Sequence, residues 1–219
     1  MQDSARIYSS MVLKLYDSWV LGFSNSYVWQ CRTQEALLPF FQSYFSTDHL
    51  DVGVGTGFYL SKTPMRAHQR ITLLDLNQNS LRAARARVSR THPKVLLQTF
   101  CDDVVNPRGV LGDRKFQSIS LFYLLHCLPG SMIDKSNVVE YLKRHLRNSG
   151  VLYGATIIGS AYPHNSLGRR LLELYNRKGI FGNYFDTVSG LRVGLQRHFY
   201  DVEITQHGAV AMFVAIGPK

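Results

Sequence analysis

The amino-acid sequence predicts an α/β protein: a mostly parallel, doubly wound sheet with helices on both faces and a helical segment ahead of it. Three observations predict this. From residue 50 onward, short apolar runs alternate with amphipathic ones, which is the pattern of repeated βα units. The first run, His49-Leu50-Asp51-Val52, feeds a turn with glycine at every second position, Gly53, Gly55 and Gly57. The last two runs, Tyr200 to Gln206 and Ala209 to Ile216, are joined only through His207-Gly208, so they must pair antiparallel.

The elements follow in order. Residues 4–22 carry a helical apolar stripe of Ile7, Met11, Leu15 and then Trp19 or Val20, closed by Gly22. Phe23 to Cys31 is short and aromatic-rich, and Thr33 is expected to cap a second helix running to Tyr44. Residues 1–32 hold too little apolar surface for their own core. Residues 1–46 are therefore expected to form a helical lid on the unit 47–219. In that unit, strands are expected at Leu50–Val52, Arg70–Asp75, Val95–Cys101, Phe116–Phe122 and Val151–Ile158, ahead of the closing pair. Helices are expected at Phe58–Thr63, Asn79–Thr91, Lys135–Leu146, Asn165–Arg177 and Thr187–His198, with Asn148-Ser149-Gly150 ending the third of them.

Composition narrows the class. A chain of 219 residues is one domain, or one domain with a cap, and is long enough for a full core. Cys31, Cys101 and Cys127 lie far apart with no C-x-x-C pair, which argues against a zinc site or a disulfide framework; no metal is expected, and a reducing, cytoplasmic setting is. The run Met11 to Phe23 is broken by Lys14 and Asp17, so it reads as an amphipathic helix and neither a signal peptide nor a membrane span. The formal charge is +10, yet the basic residues fall on helices (Arg82, Arg85, Arg87, Arg90 and Lys94 on one, Lys143, Arg144 and Arg147 on another). They read as solvated faces, and nucleic acid is not an expected partner.

The residues that carry chemistry cluster at the carboxyl ends of the predicted strands. Glycine at φ > 0 lets a ligand lie against the backbone, and the helix behind the turn offers free N–H groups. The spacing departs from the dinucleotide fingerprint G-x-G-x-x-G, since Phe58 stands where its third glycine would be. Asp51 precedes the first glycine by two residues. Asp75 ends the second strand, where an acid accepts hydrogen bonds from ribose hydroxyls. Cys101-Asp102-Asp103-Val104 ends the third strand, and either acid suits an adenine amino group, with the next backbone N–H reaching a ring nitrogen. Tyr123 and His126 are polar residues in the apolar run that ends the fourth strand. Imidazole titrates near neutrality, so His126 is a candidate general base.

The motif D-x-G-x-G-x-G at Asp51 to Gly57, with Asp75, Asp103 and Tyr123-Leu124-Leu125-His126, resembles the class I S-adenosylmethionine (SAM) methyltransferases. Within them the chain is similar to the small enzymes of quinone, lipid and secondary-metabolite pathways. The resemblance implies a seven-stranded sheet of order 3-2-1-4-5-7-6 with strand 7 antiparallel. It implies SAM as cofactor, with Gly53 and Gly55 at the methionine part, Asp75 at the ribose and Asp103 at the adenine. Asp51, Gly57, Leu76, Val104 and Tyr123 join them as cofactor contacts. Asp103 is preferred over Asp102 because Asp103-Val104-Val105-Asn106-Pro107 has the register of the family's motif. The segment Tyr16-Asp17-Ser18-Trp19 to Trp29 looks like the lid helix of that group. No Asn-Pro-Pro-Tyr or Asp-Pro-Pro-Tyr follows the fourth strand, which disfavours methylation of bases or glutamine.

Displacement at a sulfonium methyl needs an in-line nucleophile, so positioning supplies much of the rate. An aromatic wall favours the cation, and Tyr16, Tyr27, Trp29 and Tyr123 are the candidates. His126, Tyr123 and Tyr16 are the expected catalytic residues. Tyr27, Trp29, Tyr175, Asn176 and Phe181 are expected at the substrate, the last three in a segment that roofs the acceptor pocket, with Arg177 and Lys178 as surface charge. The expected activity is SAM-dependent methylation of a small molecule, O-methylation of a secondary metabolite. The alternatives are an RNA or protein methyltransferase, the same fold recruited for an isomerase- or pericyclase-like reaction, and a non-catalytic SAM-binding subunit.

Overall fold

A computed structural model describes residues 24–219. Seven strands form one sheet in the order β3-β2-β1-β4-β5-β7-β6. They are β1 (Asp48–Val52), β2 (Arg70–Asp75), β3 (Leu96–Cys101), β4 (Phe116–Phe122), β5 (Leu146–Ile157), β6 (Phe199–His207) and β7 (Val210–Pro218). The first five run parallel, and β7 is antiparallel to both β5 and β6. The order brings the glycine turn, Asp75, Asp103 and Tyr123 to the carboxyl ends of β1, β2, β3 and β4, where doubly wound sheets hold ligands.

The helices are α1 (Leu38–Tyr44), α2 (Phe58–Lys62), α3 (Gln78–Thr91), α4 (Met132–Lys143), α5 (Ser166–Arg177) and α6 (Val188–Gln196). Caps fix most of their starts. The Asn77, Asn165 and Thr187 side chains accept the N–H of Asn79, Gly168 and Gly190, satisfying donors that a helix leaves unpaired. Two expected boundaries are corrected here. Helix α4 starts at Met132, not Lys135, because Ser131 and Asp134 form a reciprocal capping box. It ends at Lys143, and β5 begins directly at Leu146. The break expected at Asn148-Ser149-Gly150 is a bulge inside β5, where pairing jumps from Phe116↔Leu146 to Ser118↔Val151. Thr33 is not a cap either. It lies inside a π-helical turn, Thr33–Leu37, whose N-cap is Arg32, and its hydroxyl accepts from Asn25 Nδ2 at 2.9 Å.

Each face of the sheet buries its own apolar cluster. One is covered by α4 and α6, through Val138, Val139, Leu142, Leu191 and Leu195. The other is covered by α1, α2, α3 and α5, and by Val28, Trp29 and Cys31 from the segment before α1. Phe41 of α1 is fully buried among the rings of Phe122, Tyr153, Tyr59 and His49. Val28, Trp29, Cys31, Leu37 and Phe41 thus share the core of the sheet unit. The apolar stripe and Tyr16 lie outside the described residues.

The positive charge gathers at the edge opposite the carboxyl ends. Arg70, Lys94, Lys115, Arg144, Arg147 and Lys219 stand at strand starts or at the end of β7, and Arg70 and Arg147 share Asp48 at 2.8 and 2.7 Å. Helices α3, α4 and α6 end at this same edge, where cations complement the helix dipole.

Among the described residues one ion pair is fully buried. Lys135 of α4 meets Asp186 and also donates to the Gly182 carbonyl at 2.9 Å. Burial pushes the ammonium down and the carboxyl up, each offset in part by the other. The pair pins the segment between α5 and α6 onto α4. Asp186→Ala is expected to lower the unfolding free energy by about 3–5 kcal/mol, because it strands a buried ammonium. The double variant Lys135→Met/Asp186→Leu is expected to recover most of that loss, as read by urea unfolding.

Candidate active site

The turn after β1 continues the strand's pairing by one residue, with Gly53 N–H donating to Leu74 O at 2.8 Å. Gly53, Gly55 and Gly57 take φ of +72°, +52° and +69°, a region that L side chains rarely adopt. Their surroundings differ. A Cβ on Gly57 would meet the Ala84 backbone at 2.9 Å, and one on Gly53 would meet Leu124 at 3.1 Å. These two glycines let α3 and the end of β4 approach the turn. A Cβ on Gly55 would meet nothing within 4 Å, so this part of the turn opens onto the groove.

Two carboxylates flank the turn. Asp51 is buried and accepts a 2.5 Å hydrogen bond from Ser120 Oγ. Burial pushes its carboxyl up to about 7; Ser120 opposes the shift and the Asp75 charge adds to it. Asp75 accepts from Asn77 N–H at 2.8 Å. Burial raises it to about 6, against the backbone N–H groups of Asn77, Gly55 and Val54. Leu76, beside it, is exposed. Past β3 the two acids have different jobs. Asp102 is buried and bound by Arg108 through its guanidinium Nε at 2.9 Å and its backbone N–H at 3.0 Å. Burial raises the Asp102 carboxyl, and Arg108 more than offsets this to leave it below the usual range. Asp103 is partly exposed and accepts from Val105 N–H at 2.9 Å, with Val104 buried beside it. Asp103 is thus the acid at this strand end that still faces solvent.

The end of β4 supplies the other wall. Tyr123 is held at φ +58°, a strained conformation for a residue with a side chain, with its N–H bonded to Ala155 O at 2.8 Å. Its ring stands edge-on to His126 at 5.5 Å. His126 in turn meets Phe181 edge-on at 4.6 Å, and Phe181 meets Tyr175 at 5.0 Å. Gly182 locks this segment down. Its N–H donates to His126 O at 2.9 Å, and a Cβ there would lie 2.4 Å from Leu128 O.

Four of the expected site residues take these positions. His126 Nδ1 accepts the Ile157 N–H at 3.4 Å, which leaves the ring proton on Nε2. Burial, aided by Lys135, holds the ring down to about 3, so it is neutral and its Nδ1 lone pair is taken. Trp29 is 2 % exposed, packed behind Phe181 and His164 in the core. Tyr27 is 67 % exposed, and its carbonyl accepts from Asn165 Nδ2 at 2.8 Å. Asn176 braces the loop with both ends of its amide, accepting from Asn183 and Tyr184 N–H and donating to Leu172 O and Asn183 Oδ1. Among the described residues, no three His, Cys, Asp or Glu side chains are grouped to hold a metal ion, and no helix is long and apolar enough to cross a membrane.

Residues 50–152 match the family model described as a methyltransferase domain. The chain is 39% identical over 213 residues to the physcion biosynthesis cluster O-methyltransferase of Aspergillus chevalieri, covering 97% of this chain and 94% of that protein. The chain belongs to the class I SAM-dependent methyltransferases. It is also 44% identical over 199 residues to the YbcY protein of Escherichia coli (strain K12), covering 91% of this chain and all of that one. The fold is shared with the DhpI–S-adenosylhomocysteine (SAH) complex, at a TM-score of 0.67 and 16% identity over 99% of this chain and 97% of that one. The methyltransferase's open Gly55 and its two acids fit the needs of SAM: backbone without a side chain in the way, and anionic acceptors for an ammonium group and for hydroxyls.

The two acids make the cofactor-free methyltransferase pH-sensitive. Folded, they hold protons up to about 7 and about 6, against 3.8 for an ordinary aspartate. Between about pH 4 and 7 the folded state therefore binds more protons than the unfolded one, and stability falls as pH rises through that window. Asp51→Asn is expected to raise unfolding stability at pH 8 by on the order of 2 kcal/mol, with little effect at pH 4. Denaturant titration at the two pH values checks this.

Proposed function

We propose that this methyltransferase moves a methyl group from SAM to the hydroxyl of a small aromatic metabolite whose acidity spares the enzyme a strong base. The carrying observation is the acceptor wall. It consists of rings (Tyr123, His126, Phe181, Tyr175) whose imidazole is held unprotonated at Nδ1 and far below neutrality. The nearby Lys135 and Asp186 are spent on each other, and burial pushes the Cys127 thiol up to about 12. A phenol, ionising at about 10, offers a small but reactive phenolate fraction at neutral pH without a strong base, whereas an aliphatic alcohol offers essentially none. The O-methyltransferase name of the Aspergillus relative supports attack by oxygen.

When bound, SAM supplies an electrophilic methyl on a sulfonium, and the chain supplies placement. Gly53 and Gly55 let backbone approach the methionine part, and Asp51 takes its ammonium group. Asp75 accepts from the ribose hydroxyls, while Leu76, Asp103 and Val104 hold the adenine. Flat rings of Tyr123 and Phe181 orient the acceptor by edge and face contacts and favour the cation. Tyr16, from the N-terminal segment, is proposed to complete the wall.

Incubation with SAM and matched phenols and aliphatic alcohols, read by product mass, is expected to add one methyl to phenols alone. The rate is expected to follow the ionisation of the phenol. His126→Gln should slow transfer by less than about tenfold, since loss of a true general base costs 10²–10⁴. A larger loss, or preference for alcohols, contradicts the proposal. Gly55→Val is expected to abolish SAH binding in a folded protein. Asp75→Ala should weaken it roughly ten- to a hundredfold, the loss of about 1.5–3 kcal/mol expected for hydrogen bonds to a charged group.

A further inference from the structure

Behind Asp51 a file of buried polar side chains runs between β1 and β4 to the opposite edge of the sheet. Ser120 Oγ lies 2.5 Å from Asp51 Oδ1 and 3.0 Å from His49 Nε2. His49 Nδ1 lies 2.7 Å from Ser118 Oγ. Ser118 Oγ accepts from Ser46 N–H at 3.1 Å and lies 2.7 Å from Ser46 Oγ, which donates to Asp48 O at 3.0 Å. His49, Ser118 and Ser120 are fully enclosed, and Ser46 is half-buried. Unsatisfied polar groups in such a place are costly.

Proton counting gives this file two complete arrangements. With Asp51 ionised, Ser120 donates to Asp51, His49 donates from Nε2 to Ser120, and Ser118 donates to Nδ1. With Asp51 protonated, every bond reverses. Asp51 then donates to Ser120, Ser120 to Nε2, His49 from Nδ1 to Ser118, and Ser118 to Ser46. Each hydroxyl has one proton and the neutral ring has one, so neither arrangement leaves a donor or acceptor unmet. The ring stays neutral throughout, since burial holds it far below neutrality. The charged group acting on Asp51 is Asp75, and the other titratable side chains beside it are His49 and Tyr153, whose buried hydroxyl can donate to the second acceptor site of Ser120 in either arrangement.

We propose that His49 and Ser120 are positioning residues for Asp51, forming a reversible relay that keeps it protonated without cofactor and ionised with it. Resting on the reading that Asp51 meets the ammonium group of the cofactor, the relay makes binding release one proton. The Asp51 proton moves to Ser120, and the Ser120 proton moves to Nε2. The Nδ1 proton moves to Ser118, the Ser118 proton to Ser46, and one proton leaves Ser46 for solvent. The balance is one carboxylate gained and one proton lost, with the His49 tautomer exchanged. The burial that raises Asp51 to about 7 makes the protonated start well populated just below neutrality.

The test starts from the intact wild-type chain and SAH. Nitrogen-15 NMR of His49 is expected to show the Nδ1–H tautomer without SAH and Nε2–H with it, near pH 6.5. Calorimetry in buffers of different ionisation enthalpy should show more than half a proton released per SAH at that pH, and almost none at pH 8.5. Ser120→Ala should freeze the tautomer and move the midpoint of the affinity–pH curve up by about one unit, about tenfold weaker binding at low pH; Ser120→Thr should restore both. One tautomer with and without SAH, alongside proton release that Asp51→Asn abolishes, would overturn the relay and leave the cofactor site standing. Equal SAH affinity in Asp51→Asn and wild type would instead overturn the placement of the ammonium group.

Discussion

The structure depends on a backbone constraint. Three alternating residues after β1 must take left-handed φ while the chain turns from strand to helix, and only glycine does so without strain at all three. Two of them are closed in by α3 and by Leu124, so the turn is rigid. The third faces open space. Rigidity on two sides and access on one is what a nucleotide cofactor needs from a polypeptide. The same turn aims its N–H groups at Asp75 and sits directly after Asp51. Two acids are thereby buried close together, with the Asp75 charge adding to the proton affinity of Asp51, at a cost that a cationic, hydroxyl-rich ligand can relieve.

The proposed acceptor side is organised differently. Its shape comes from packing: the strained Tyr123, the ring cluster on Phe181, and the loop held by Gly182, Asn176 and the Lys135–Asp186 pair. Polar groups there are mostly used up in holding the wall together. A site with a charged cofactor half and an apolar acceptor half is suited to a reaction in which the cofactor carries the driving force and the protein supplies alignment.

The fold was legible in the sequence wherever one signal dominated. Strands β2 and β4 end where their apolar runs end, and the short His207-Gly208 link dictated an antiparallel finish. Boundaries failed where two signals competed. The helix-forming run after Lys135 masked the capping box at Ser131, and Asn148-Ser149-Gly150 read as a helix stop although it is a bulge in a strand. Placement in the fold was legible where backbone position carried the argument, as for Gly55 in the turn after β1 and Asp75 at the end of β2. Side-chain direction was not, because aromatic and amide residues serve cores and braces as readily as ligands. Trp29 and Asn176 went that way. His49 and Ser120 escaped notice, although Ser118 and Ser120 alternate within an otherwise apolar buried strand, a pattern that asks what they are bonded to.

A structure of the protein with SAH bound tests the central claim most directly. The account predicts the amino-acid part of SAH against Gly55 with its ammonium group on Asp51, both ribose hydroxyls within hydrogen-bonding distance of Asp75, and the adenine between Leu76 and Val104 with its amino group on Asp103. SAH lodged elsewhere, or a ribose held by a side chain other than Asp75, would contradict it.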